Sequence, residues 1–186
     1  MALINTTTTG VLGSTFYGDG TGSLTIQQNG VTLGTYGNIP AFSAYQVNGN
    51  ANQSISSDVW TKAKIDTEEF DTNNNFDTTN NRFLPTVAGY YQINGCLYLR
   101  NAAACPIKIV SIYKNGSIYK QGMQLYFNGN YYIAADTFPV SSIVYLNGST
   151  DYVELYGYIS SSASSIGYGS SSCWMNGHLV KAAWWH

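Results

Sequence analysis

An all-β fold is what this sequence predicts, on three observations. Strand-favouring residues are abundant, led by 16 Tyr, with aromatics at 15% of 186 residues. Asn-Gly pairs punctuate the chain at residues 29, 48, 94, 115, 128, 147 and 176, and Asn-Gly supplies the positive φ that tight turns need. Asn/Thr-rich polar stretches alternate with evenly placed aromatics, as in FDTNNNFDTTNNRFLPTVAGYY at residues 70–91. A helix does not fit that stretch, because Asn and Thr disfavour helix interiors. Disorder does not fit it either, because disordered segments have few aromatics and high charge.

Taken in order, the elements begin with a small Thr/Gly-rich β-segment over residues 1–40. Within it SLTIQQNGVTLGTYG reads as a hairpin turning at Asn29-Gly30. A denser region, 41–186, opens at AFSAYQ. Residues 72–82 read as a surface crossover shaped by Asx turns, with Phe70, Phe76 and Phe83 as anchors and Asn74 dispensable. IKIVSIYKNGSIYKQG is the clearest hairpin, turning at Asn115-Gly116, with Ile107, Ile109, Ser111 and Tyr113 on one face. SSIVYLNGSTDYVELYGYI reads as another, alternating Tyr152, Glu154 and Tyr156 against Val153, Leu155 and Gly157. Asn94-Gly95 and Asn176-Gly177 fall inside strand-like runs, so bulges or close approaches are expected there. SSASSIGYGSSS, residues 161–172, reads as a long loop.

Composition excludes several functions. Charged residues are 10%, against about 25% in an ordinary soluble domain. The formal net charge is -2, so no basic surface for nucleic acid or an anionic membrane is expected. No apolar run approaches the roughly 20 residues of a membrane span. MALINTTTTG lacks the basic and apolar regions of a signal peptide. Low charge with abundant Asn, Thr, Tyr and Ser suits a surface that meets the outside. A virus particle assembled in a host cytoplasm satisfies both.

Chemistry-bearing residues are sparse. Cys96, Cys105 and Cys173 show no CxxC spacing and read as buried free thiols; only His178 and His186 could join them on a metal. Cys105, before Pro106, has no basic neighbour in sequence to make it a thiolate. A Ser–His–Asp triad would need His178 or His186, and His178 sits in the strand-like MNGHLV, where a structural or interface role is expected. Catalysis is therefore not expected. The acidic cluster Asp66, Glu68, Glu69 and Asp71 invites a calcium reading but lacks a DxDxDG pattern, so no cofactor is expected. Adjacent Trp184 and Trp185 in KAAWWH would face opposite sides of a strand, which points to an interface.

Asp71, Phe76, Phe83, Gly89 and Tyr91 stand at the spacing of the aromatic signature of C1q-like and tumour-necrosis-factor-like jelly rolls, with Ile65 and Ile93 replacing two of its aromatics and Gly95 a third. AFSAYQ, IVSIYKNG, VYLNGSTDYVELYGY and MNGHLV follow in the order of that family's strands. The chain over roughly residues 40–180 resembles this family. The resemblance implies a two-sheet jelly-roll β-sandwich and a homotrimer with aromatics along the threefold axis. The N-terminal stretch TGSLTIQQNGVTLGTYGNIPAFSAYQ resembles segments that precede such heads in bacteriophage virion proteins. That resemblance implies a virion-surface protein whose first 40 residues anchor it to capsid or tail proteins. Two functions compete: a capsid decoration or cement protein, and a host-attachment head recognising surface glycan or protein. About 40 residues before the head favour a compact anchor over a long shaft, and so the first.

Overall fold

The computed structural model describes residues 39–126 and 135–183 in full, and within residues 1–38 the backbone of three strands. The chain divides into two compact units, Met1–Ile39 and Pro40–His186. In the first, β1 (Thr15–Gly18), β2 (Leu24–Gln28) and β3 (Val31–Tyr36) form an antiparallel sheet in that order. Gln28 pairs with Val31, the register of a hairpin about Asn29-Gly30. Those turn residues, like Asn128-Gly129, lie outside the described residues.

The second unit opens with short strands: β4 (Ala41–Tyr45), β5 (Gln53–Ile55), β6 (Thr61–Lys62), β7 (Thr67–Asp71), β8 (Phe76–Asp77) and β9 (Arg82–Phe83). Long strands follow: β10 (Gly89–Asn101), β11 (Ile107–Lys114), β12 (Ser117–Tyr126), β13 (Ala135–Leu146) and β14 (Val153–Ile159). The short β15 (Ser164–Ile166) and then β16 (Trp174–Ala182) complete the chain. One sheet runs β13-β10-β16-β4-β7, with β15 and β5 added beside the far end of β10. The other runs β12-β11-β14-β9-β8, and β6 also pairs with β14. From β10 the chain crosses to the second sheet for β11 and β12, returns for β13, crosses again for β14 and returns for β15 and β16, which gives the sandwich its jelly-roll connectivity. All pairings are antiparallel.

Local sequence explains the elements. β10 alternates inward Tyr91, Ile93, Leu97 and Leu99, all fully buried, with outward Tyr90, Gln92, Asn94 and Tyr98. The β11–β12 turn forms at Asn115 (φ 52) and Gly116 (φ 77), the two positive φ angles of a type I′ hairpin. Where the two sheets face each other, Phe42 stacks on Phe83 at 4.2 Å and on Phe76 at 5.1 Å, and Tyr91 meets Phe83 edge-on. The buried Tyr91 hydroxyl donates to the Val87 carbonyl at 2.7 Å, so its polar end is satisfied inside an apolar site. Gly95 leaves the space that Leu155 fills, since a Cβ there would lie 2.8 Å from Leu155 Cδ1. The aromatic missing at that position is thus replaced from the opposite sheet.

Four expectations are corrected. Phe70 is not a core anchor: it is 51% exposed, because β7 is an edge strand whose pairing bulges opposite Ser43 and Ala44, turning Phe70 outward. The 141–159 stretch is not a hairpin. β13 pairs with β10 while β14 pairs with β11. Asn147 is the cause, because its side-chain oxygen accepts from the backbone N–H groups of Ser149, Thr150 and Asp151 and closes a wider turn. The crossover at 72–82 contains the β8–β9 ladder, which sets Phe76 opposite Phe83. The 161–172 loop contains β15, which pairs with β10 and β5.

Candidate functional site

The described residues offer two outward faces, one on each sheet. On the first sheet the strand register lines up side chains in rows. Tyr145 and Tyr90 are opposite each other with rings 5.3 Å apart. The next row holds Ile143, Gln92, His178 and Ala41, and the next Ser141, Asn94, Asn176 and Ser43. That row is a polar ladder: Ser141 Oγ donates to Asn94 Oδ1 at 2.8 Å, and Asn94 Nδ2 donates to Asn176 Oδ1 at 3.0 Å. Gln92 Nε2 donates to Ser141 Oγ at 2.8 Å. These amides are therefore oriented by one another before any partner arrives.

Apolar groups flank the ladder. Tyr90, Ile143, Tyr145 and Val180 are each about half exposed, and Phe70 joins them at the β7 edge. Soluble monomers seldom leave so many large apolar side chains on one face. Charge borders it at a few points: exposed Lys181 is the register partner of Tyr90, and the Lys114 ammonium lies 5.8 Å from the Tyr145 ring. Glu69 holds the Ser43 hydroxyl at 2.7 Å, and His178 is exposed with Gln92 on one side and Ala41 on the other. Such a face suits burial against protein.

The remaining site candidates occupy ordinary structural positions. Ile65, Phe76, Phe83, Tyr91 and Ile93 are core residues. Gly89 permits a close approach, since a Cβ there would lie 2.4 Å from the Lys181 carbonyl oxygen. The four acidic residues do not converge. Asp66 accepts the Val47 and Asn48 N–H groups at 2.8 and 2.9 Å, and Asp71 caps the N–H groups of Asn73, Asn75 and Phe76. Glu68 is exposed on β7. Among the described residues no three His, Cys, Asp or Glu side chains stand together as a metal set. Calcium is accordingly expected to leave the thermal midpoint unchanged, because Asp66 and Asp71 would have to abandon backbone donors to bind it. A rise of several degrees in a thermal melt with added calcium would refute this. Trp184 and Trp185 lie outside the described residues.

Sequence reasoning missed Lys108. Its side chain is fully buried, donates to the Leu99 carbonyl at 3.2 Å and lies 3.9 Å from the Asp136 carboxylate. Burial pushes its pKa down, while Cys105 and Asp136 beside it oppose that shift. Cys105 therefore does have a basic neighbour, three residues along the chain. Burial still raises its thiol pKa overall, so it is held as a thiol. Cys96 and Cys173 are buried too, and burial raises both, Cys173 to about 11. A lysine inside an apolar strand leaves no periodic signal in sequence, which is why it was not found.

The sequence matches no protein-family model. It matches no curated protein either. The structure is similar to several solved ones. Murine APRIL at pH 5.0 aligns with a TM-score of 0.54 at 10% identity, covering 76% of this chain and 99% of that one. The globular domain of zebrafish complement 1qA protein aligns at 0.52 and 14% identity, covering 77% and 98%. The Eiger TNF of S. frugiperda aligns at 0.54 and 9% identity, covering 78% and 94%. Near-complete coverage of each neighbour means that the whole jelly roll is shared. The chain has the C1q/TNF-like fold.

Proposed function

We propose that this chain is a non-enzymatic, homotrimeric head displayed on a virus particle, where it decorates and stabilises the capsid. The observation that supports it most is the outward face of the first sheet. Tyr90, Ile143, Tyr145 and Val180 form an apolar patch beside a pre-ordered amide ladder, rich in the aromatics that mark the buried centre of a protein interface. Association of copies through this face removes that apolar surface from water at roughly 25 cal/mol per Å². The C1q-like family resemblance makes three the number of copies. The low-charge, Asn- and Thr-rich composition and the separate β-unit before the head support the virion setting, with residues 1–40 as the anchor to a capsid or tail protein.

Light scattering tests the assembly. The full chain is expected to run as a trimer, and a monodisperse monomer at micromolar concentration would overturn it. Removing residues 1–40 is expected to leave a folded trimer that no longer joins the particle, because Met1–Ile39 form a compact unit of their own. Particles lacking the protein should lose heat resistance and still adsorb to cells. Sturdy particles that fail to adsorb would instead establish host attachment, a reading that the aromatic surface of the second sheet favours.

A further inference from the structure

The outward face of the second sheet carries a different chemistry. Trp60 lies against Tyr158 at 5.3 Å and against Tyr113 at 5.8 Å, and Tyr113 stacks on Tyr156 at 3.8 Å. Across the sheet, Ile109 has Gln124 as its register partner on β12 and Tyr158 on β14. Ile109 is itself buried beneath these side chains and spaces the amide strand from the aromatic one, with the two outer strands about 9–10 Å apart. One step along β12, Tyr126 is 65% exposed. Its hydroxyl donates to Gln124 Oε1 at 3.2 Å, and Gln124 Nε2 donates to Gln121 Oε1 at 2.7 Å. That chain fixes a row of amides beside an open ring.

We propose that Trp60, Gln121, Gln124, Tyr126 and Tyr158 form a binding site for a neutral glycan. The C–H faces of hexose rings are apolar and their edges carry hydroxyls. They therefore need a flat aromatic surface flanked by groups that both donate and accept hydrogen bonds. Tyr126, Trp60 and Tyr158 supply the first, and Gln121 and Gln124 the second. Rigid tyrosines with adaptable amides also lose little conformational entropy on binding.

Charge decides which glycans fit. At the Trp60 end of the cluster, Lys62 is taken by Glu154 at 3.0 Å. Asp58 accepts the Tyr158 hydroxyl at 3.0 Å and the Ser57 hydroxyl at 2.8 Å, which leaves that end of the cluster net negative. Sulfated, sialylated and uronic-acid chains are repelled, and so is nucleic acid. The site does not depend on the trimer or on the particle. It lies on the sheet opposite the proposed assembly face, and a monomeric head would carry it equally.

The test is titration of the full chain with maltohexaose, cellohexaose and mannohexaose, followed by NMR of the side-chain amides of Gln121 and Gln124. At least one of these neutral hexaoses is expected to shift those amides saturably. Tyr126→Ala and Gln124→Ala, both at exposed positions, should each weaken binding about tenfold, or about 1.4 kcal/mol, with unchanged thermal midpoints. Tyr168→Ala, an exposed tyrosine elsewhere, should leave affinity unaltered. The proposal is overturned if none of the three sugars shifts the two amides, or if Tyr168→Ala weakens binding as much as Tyr126→Ala. Tighter binding of a heparin hexasaccharide at the same amides would also overturn it.

Discussion

Replacing Phe83 with alanine is expected to lower the unfolding free energy of the head by about 3–5 kcal/mol, as truncation of a core phenylalanine does. Phe83 is fully buried and central to the aromatic stack. Its ring is sandwiched between Phe42 at 4.2 Å and the edge of Tyr91 at 5.4 Å, and β9 bonds it to Val153 of β14. Because two sheets meet at this ring, neither can collapse into the cavity without moving its neighbour. Urea unfolding measures the loss. Phe70→Ala is the control, since Phe70 lies half exposed on an edge strand. Equal midpoints for Phe83→Ala and Phe70→Ala would sink the account. Asn74→Ala is not neutral, as the residue's place in a polar loop suggested. Asn74 has φ 54, where alanine costs about 1–2 kcal/mol.

The second large effect is expected at the assembly face. Ile143→Arg should convert the trimer to a monomer, because a guanidinium in the centre of an apolar contact is desolvated without a partner. An unpaired buried charge of that kind costs about 3–5 kcal/mol. Ile143 is 51% exposed in the single chain, so the variant has no reason to misfold. Its neighbours Gln92 and Tyr145 offer an arginine no carboxylate. Analytical ultracentrifugation with circular dichroism separates the outcomes. Native-like strand signal with a monomeric mass supports the assembly reading. A trimer unchanged by Ile143→Arg would show that copies meet elsewhere.

Much of the head was legible before any coordinates. Phe76, Phe83, Tyr91 and Ile93 could be read as inward because they stand at the spacing of the C1q-like aromatic signature, and the resemblance implies that those positions fill the sandwich core. Asn115-Gly116 could be read as a hairpin because the two positive φ angles belong to the dipeptide itself. The same dipeptide misled at Asn147-Gly148. There the Asn side chain captures three following N–H groups, and the chain crosses to the other sheet instead of pairing back. Phe70 misled for a related reason. A bulge opposite Ser43 and Ala44 shifts the alternation by one, and a one-residue shift turns every side chain to the other face.

The sequence by itself determined the all-β class and the scarcity of charge, since both follow from composition, and its resemblance to the C1q-like signature pointed to the core aromatics of the sandwich. Only the tertiary structure decided what shares a surface. Ser141, Asn94, Asn176 and Ser43 come from four strands as much as 133 residues apart, and they meet because β10 lies between β13 and β16. Tyr126, Ile109 and Tyr158 meet for the same reason across β12, β11 and β14. Buried Lys108 was likewise decided by fold, where Asp136 and the Leu99 carbonyl come within reach of its ammonium. Register between distant strands is set by how two sheets close on one core, and no local window of sequence contains that information.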